Sequence, residues 1–566
     1  MASSSFTKKT TIAIEGKAIA DFEGLTISQS LHTYHEFDLI FLAKQVADCT
    51  ALVGKPLRVT VAEDDGKGTP FEFNGIVAEA ELVQRNLRAP AAVLRGYGRP
   101  YELDSVPGVS TYAEMSASDI VTKCLGAYTG PKDVSPPAGP AHVLPFAVRY
   151  QETYWNFLRR LAYDYGAWLY YDGLKLHFTA TPGSSPVELT YGLNLNRLRV
   201  GKRGAPKFVS QLDYFPLDGT EAASKSPANA TFFAAVTENA LPGPRQALTA
   251  ADVGEFVVNR GNSYGADSSY VTGEAEVPGI SIGTTVRISN PEGEGALGDF
   301  NVVEITHHIH PKEAYRNAFR AIPAAMKAMP MGGALTRPRA EPQLAEVTDN
   351  KDPRKLGRVQ VRLLWMSATD KSPWLRVLTP HFGLDSKQAK NRGFLFVPEV
   401  KDQVMVGFQD GDPERPFVFG SMPHGLNVAV AEPVSKEHHI SVNSGTTITF
   451  LDTDTKHELH LQVDDKNLIT LVVDSGQGTI TLAASKSIVL KATQEITLDA
   501  PTIKLTGTNV TITGSAKTAI AGAAVEIKAD AELKAEGTMV KVAGKAQTSM
   551  ESSGITVVKG AIVMIN

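Results

Sequence analysis

The chain has 566 residues, of which 43% are hydrophobic and 21% charged, with a formal net charge of −5. This length implies about three to five domains, and the acidic balance argues against a polyanion binder, because nucleic-acid modules carry a basic surplus. Two cysteines, Cys49 and Cys124, exclude a disulfide scaffold and a Cys-rich zinc module, and no apolar run of about 18 residues is present to span a membrane.

The opening MASSSFTKKTT has no apolar segment of the kind a secretory signal needs. With so few cysteines, a reduced cytosolic origin is the plain expectation. Ser116 is read as the N-cap of a helix, with Asp119 three residues on. Gln151 through Leu161 reads as a second helix, with Phe157, Leu158, Leu161 and Tyr165 on one face and Gly166 as the stop. Trp168–Tyr171 and Leu174–Phe178 flank Asp172-Gly173 and predict a hairpin. Thr284–Ile288 and Asn301–Ile305 read as strands. Residues 1–323 form the first region, and 324–343, rich in Pro, Gly and Met, read as a linker.

Region 344–430 contains short strands at regular spacing, expected at Gly357–Trp365, Trp374–Leu378, Gly393–Val397, Gln403–Phe408 and Pro416–Gly420. Five such strands with turn signals between them fit a small barrel of OB type.

Region 431–566 is built differently. After Phe450 there is no Phe, Tyr, Trp, Arg or Cys, although aromatics make up 8% of the whole chain. The tail divides into units such as GTITLAAS, KSIVLKAT, QEITLDAP, TIKLTGT and NVTITGS, with a period of eight slipping to seven. Each carries an alternating pair such as Ile480/Leu482, Ile488/Leu490 or Ile496/Leu498, which marks strands. A strand this short cannot bury its apolar side alone, so the units must stack. Eight residues suit one side of a triangular prism whose other sides come from two further chains. Trimerisation follows from the repeat length, and a narrow interior explains the missing aromatics. About sixteen octads counted from residue 438, stacked at ~4.8 Å, give a rod roughly 75 Å long.

The barrel region also carries a family resemblance. Lys355-Leu356-Gly357-Arg358-Val359 with Val361-Arg362 and Trp365, then Ser372-Pro373-Trp374-Leu375-Arg376-Val377, Gly393-Phe394 with Phe396-Val397-Pro398-Glu399-Val400, and Asp402 to Phe408 followed by Gly411-Asp412-Pro413-Glu414-Arg415-Pro416 resemble, in order, the VgrG barrel. Glu23 to Thr26, His35 to Leu39 and the segment from Gln151 to Phe178 resemble the hub of the same family. VgrG proteins are spikes of type VI secretion systems and are similar to hub and spike proteins of contractile phage tails.

The resemblance implies a mainly β protein. Two small hub β-barrels with a few helices form a platform over 1–323, an OB-type barrel follows, and a trimeric triple-stranded β-helix needle ends the chain. It implies a non-enzymatic homotrimer that bridges a hexameric, Hcp-like tube to a PAAR-repeat tip protein. Baseplate proteins and effectors are implied as further partners, with transient contact to a target membrane, no nucleic acid and no cofactor. The spike would assemble in the bacterial cytoplasm and then be secreted or injected. The ending Lys559-Gly560-Ala561-Ile562-Val563-Met564-Ile565-Asn566 resembles the family's needle terminus, so Ile562, Val563, Met564, Ile565 and Asn566 are expected to bind the tip protein. About 17 residues separate Gly420 from His438, too few for a lytic domain, and no effector domain is expected after the needle. The alternatives are a phage-type tail spike with a hidden peptidoglycan hydrolase site, and an adhesin stalk.

No motif reads as catalytic. Gly261-Asn262-Ser263-Tyr264-Gly265 matches a nucleophile elbow, with Phe256-Val257-Val258 as the preceding strand, but the polar run from Ala266 to Ser269 is not the helix an elbow requires. His307-His308-Ile309-His310 offers alternating histidines, yet a histidine at this strand end is common in the resembling family without metal. His438, His439, His457 and His460 read as surface positions. Asp452-Thr453-Asp454 lacks the Gly and final Glu of a calcium loop, and Asp64 to Thr69 has its Lys before the Gly, unlike a phosphate loop. Asp412 and Arg415 are expected to pair and orient the barrel.

Overall fold

A computed structural model describes residues 8–85, 88–135, 143–183, 185–230, 241–242, 249–291, 293, 295–331, 335–385, 390–426 and 436–565. The chain divides into two compact units, Met1–Val430 and Ala431–Asn566.

In the first unit several strands bury every second residue, as a one-sided sheet must. Phe22–Ser30 turns Leu25 and Ile27 inward, Glu36–Leu42 turns Phe37, Leu39 and Phe41, and Pro56–Ala62 turns Leu57, Val59 and Val61. These strands belong to one 13-stranded sheet that serves two cores. The first core gathers Ile27, Phe37, Val59, Phe73 and Leu94 with residues of both early helices, and the second gathers Leu189, Val271, Ile288, Val302 and Phe319. The 15-residue strand Gly295–Ile309 runs from one to the other. Its Val302 and Ile305 lie in the second core, while Ile309 lies in the first, where the strand pairs with Phe22–Ser30.

Helix α1 (Ala117–Cys124) starts as expected, with the Ser116 hydroxyl accepting from the Asp119 N–H at 3.1 Å. Helix α2 (Tyr154–Tyr165) starts later than expected, because Gln151 and Glu152 still belong to the strand Val143–Glu152. Thr153 caps α2, and Gly166 closes it at φ 65°, a left-handed conformation natural to glycine. The Asp172-Gly173 hairpin forms, with the Asp172 carboxylate accepting from the Leu174 and Lys175 N–H groups at 2.7 Å each.

Helix α3 (Ala250–Gly265) corrects the expectation of a strand at Phe256–Val258. Thr249 and Asp252 form a capping box, and Val253 and Val257, four residues apart, are buried against Phe215 of the hairpin Ser210–Phe215/Thr220–Lys225. One turn of helical spacing on an apolar partner outweighs the β-propensity of valine.

The barrel sheet orders Gln360–Leu363, Gln343–Asp349, Gln403–Phe408 and Pro416–Ser421 side by side. Gln343–Asp349 begins where a linker was expected to end. The expected linker is anchored elsewhere too, since Met329 packs in the second hub core and Ala340 in the barrel core. Two expected strands change. Trp374–Leu378 makes only isolated bridges, Leu375 to Val359 and Val377 to Val418. Around Gly393 the pairing is a separate hairpin, Phe382–Asp385 with Lys390–Gly393, and Phe394, Leu395 and Phe396 follow it exposed. The barrel core also takes in Phe146, Val148 and Tyr150 from the hub strand Val143–Glu152.

In the second unit, Glu437–Ser441, Thr447–Asp452, Lys456–Asp464, Asn467–Asp474 and Gln477–Ala483 form an antiparallel meander. The octads counted from residue 438 therefore do not start there, since these strands turn back on one another through tight loops. From Lys486 to Ile565 the chain is exposed throughout, and among the described residues it forms no strand and no backbone-to-backbone hydrogen bond. It bends at 485–486, 493–494, 501, 508–509, 515–516, 523, 530–531, 538–539, 545–546, 553–554 and 561–562. The bends from 485–486 to 515–516 fall on the boundaries of the units GTITLAAS to NVTITGS.

Candidate functional site: an unpartnered apolar face and a buried hub–barrel clamp

Cross-strand register sorts the meander into two unlike faces. On one, Ile440, Ile448, Leu461, Ile469 and Leu482 form a row across all five strands, beside a second row of His438, Phe450, Leu459, Leu471 and Ile480. On the other, the rows read His439, Thr449, His460, Thr470, Thr481 and Glu437, Leu451, Glu458, Val472, Thr479. These two rows are apolar except for His438, with the paired Asp452 and His457 in the next row, yet Phe450, Leu461, Ile469, Leu471, Ile480 and Leu482 are all exposed. The apolar pairs of the repeats continue beyond it, from Ile488/Leu490 through Ile503/Leu505 to Val540/Val542, equally exposed. Exposed apolar surface arranged in this way marks an interaction surface.

At the end of the chain Ile562, Met564 and Ile565 are 82%, 87% and 91% exposed, and Val563 is half exposed. Asn566, the fifth expected tip residue, lies outside the described residues.

Within the first unit the Gly411-Asp412-Pro413-Glu414-Arg415 turn reaches from the barrel into the hub. Arg160 lies on the buried side of α2, its side chain 3% exposed, between Glu152 at 2.8 Å and Glu414 at 3.0 Å. It also donates to the Val148 carbonyl at 2.9 Å, while the Val148 N–H donates to the same Glu414 oxygen at 3.2 Å. Burial works against the charge on Arg160, but Glu414 and Glu152 outweigh it and hold the guanidinium protonated. Arg415 faces Asp213 of the hub at 3.6 Å, and Asp412 and Asp410 of its own turn at 3.4 and 3.6 Å. The expected Asp412–Arg415 pair thus forms, as one part of a larger cluster. Burial, with Glu414 adding repulsion, pushes the Asp412 carboxyl up to about 6. Arg160 and Glu414 were not singled out from sequence. The available signal was an arginine three residues after Phe157 and next to Leu161, on a helix face otherwise buried.

The remaining candidates separate. Ser263 of the elbow-like motif is buried within α3, on a helix and not at a strand-to-helix turn. His307 is fully buried with its ring stacked on Phe71 at 3.8 Å, whereas His310 is exposed. Among the described residues no three His, Cys, Asp or Glu side chains converge as a metal site. Cys49 and Cys124 are buried free thiols. Asp352 explains the Lys355-Leu356-Gly357-Arg358 motif: its carboxylate accepts from the Leu356 and Arg358 N–H groups and from the Arg358 guanidinium at 2.6 Å.

Residues 28–313 match the family model of the phage tail baseplate hub (GPD), and residues 343–422 match the type VI secretion system/phage-baseplate injector OB domain. The type VI secretion system spike protein VgrG5 of Pseudomonas aeruginosa is 32% identical over 127 residues, which cover 20% of this chain and 15% of that relative's length. Among solved structures, a chain of the half-lidded Francisella PdpA–VgrG complex shares the fold with a TM-score of 0.57 at 9% identity, over 84% of this chain and 88% of its own. A chain of the lidless PdpA–VgrG complex gives 0.56 at 9% identity, over 85% and 100%. With a hub model matching half its length, an injector OB domain after it and a type VI spike relative, the chain belongs to the phage baseplate hub proteins of VgrG type.

Proposed function

We propose that this protein is the non-enzymatic, homotrimeric spike of a contractile injection apparatus of type VI kind. The hub seats on a hexameric tube, the tail forms an intertwined needle, and Ile562–Ile565 with Asn566 receive a PAAR-repeat tip protein. Contraction drives the assembly out of the cell that made it and through a target membrane. Baseplate proteins hold the hub, and effectors travel with the spike.

The observation that carries this reading is the unpartnered apolar face of the meander, continued by repeats that bend every seven or eight residues. Single strands without edge partners and with exposed Ile, Leu and Val have nothing to hold them extended in water. Three copies around one axis supply both the hydrogen-bond partners and the cover.

The test is the mass in solution of the full-length protein, of a truncation ending before residue 437, and of the double variant Leu461→Asp/Ile469→Asp. The full chain should be a trimer and both altered forms should lose that state. A monomeric full-length protein would refute the needle.

A further inference from the structure

Two buried histidines sit against the first hub core, where the long strand Gly295–Ile309 reaches it. His307 lies on the long strand Gly295–Ile309, opposite Ile27 of Phe22–Ser30, and His35 lies in the turn before Glu36–Leu42. Both are fully buried. Phe71 stacks on His307 at 3.8 Å, and Tyr171 and Phe73 flank His35 at 5.4 and 6.5 Å. The side chain of Gln29 connects them.

The proton positions along this connection follow from its far end. The Asn317 amide donates to the Val277 carbonyl at 2.8 Å and to the Tyr315 hydroxyl oxygen at 3.2 Å. Tyr315 therefore gives its own proton to His307 Nδ1 at 2.7 Å. With Nδ1 accepting, His307 carries its proton on Nε2 and donates to Gln29 Oε1 at 3.3 Å. Gln29 Nε2 then donates to His35 Nδ1 at 3.1 Å. The His35 proton is left on Nε2, which has no hydrogen-bond partner among the described residues. Each imidazole already uses its one acceptor nitrogen on a donor. A second proton on His307 would confront the Tyr315 hydroxyl, and one on His35 would confront the Gln29 amide.

Neighbouring charges do little to offset this. Asp172, across from His35, is engaged by His177 at 2.8 Å and by two backbone N–H groups. Glu63 acts on Tyr315 only at a distance. His308 points to the other side of its strand, near Arg316 and Glu274, and both it and His35 oppose a charge on His307. Among the described residues no carboxylate is hydrogen-bonded to either ring.

We infer that His35, Gln29, His307 and Tyr315 form a proton-operated buckle: it fastens the long strand Gly295–Ile309 to the first hub core at neutral pH and releases it in acid. Burial holds both imidazoles near 3 in the folded hub, against about 6.5 in an unfolded chain. Both groups are depressed, so the unfolded state binds more protons below pH 6.5. Their contribution is complete above that value and is lost as pH falls toward 3. At pH 5.0 each histidine favours the open form about 30-fold, and the pair about 1,000-fold, relative to neutral pH.

Two measurements on the full-length protein test this. Histidine C2–H exchange by mass spectrometry, from pH 4 to 8, reads each ring separately. His35 and His307 should show no midpoint above about 4.5, with exposed His310 as the comparator. A midpoint near 6.5 at either buried ring overturns the inference. Unfolding of the hub at pH 7.5 and 5.0 is then compared with His35→Asn. Asparagine presents an acceptor where His35 Nδ1 lies and tolerates the left-handed φ of 63° at that position. The variant should remove about 30-fold of the acid sensitivity, and an unchanged pH dependence would refute the buckle. If the variant fails to fold, the exchange profile of the natural protein decides alone.

Discussion

Replacing Glu414 tests whether the barrel is locked to the hub by charge buried between them. One oxygen of Glu414 meets two hub donors, the Arg160 guanidinium at 3.0 Å and the Val148 N–H at 3.2 Å, and its side chain is 7% exposed. Glu414→Ala strands both donors. Leaving a buried backbone N–H unmet costs about 1–3 kcal/mol, and removing one partner of a buried ion pair costs about 3–5 kcal/mol. Glu152 still faces Arg160 at 2.8 Å and offsets part of this, so about 4 kcal/mol is expected in total. Glu414→Gln keeps a carbonyl oxygen for Val148 and loses only the charge, so roughly half that loss is expected. Urea unfolding followed by tryptophan fluorescence reads both regions, because Trp155 and Trp168 are buried in the hub and Trp365 packs on the barrel core. A double-mutant cycle with Arg160→Met isolates the pair. Coupling below about 0.5 kcal/mol, the level of an exposed pair such as Arg58–Glu72, would refute the clamp.

Asp412→Asn should stabilise the first unit more at pH 7.5 than at pH 5. The folded carboxyl titrates near 6, above its unfolded value. Its favourable contribution is therefore present below about 3.8 and is lost as pH rises through 6. Chemical denaturation at both values checks the sign, and an equal effect at the two would contradict it. Deletion of residues 559–566 should abolish co-purification with a PAAR-repeat protein while leaving the oligomer intact. Retention of the partner would move the tip site elsewhere.

Much of the architecture is local in origin and can be read from the chain. Alternating apolar residues place the sheet strands, Ser116 and Gly166 mark helix ends, and the Asp172-Gly173 turn makes its hairpin. The absence of aromatics after Phe450 and the seven- to eight-residue units locate the bends of the tail. Where the sequence misled, a non-local partner was responsible. Val253 and Val257 have strand propensity but become helical because a hairpin offers them an apolar surface. Gln343–Asp349 becomes a strand only because Gln403–Phe408 and Gln360–Leu363 flank it.

The functional groups divide along the same line. Composition and period alone marked the tail as a run of short alternating units unlike the rest of the chain, because side-chain alternation and unit length are properties of consecutive residues. Only the tertiary structure decided that Arg160 meets Glu414, 254 positions away, and that His35 and His307 share Gln29. Those contacts depend on desolvation and on donor–acceptor geometry between distant segments. No local pattern encodes them.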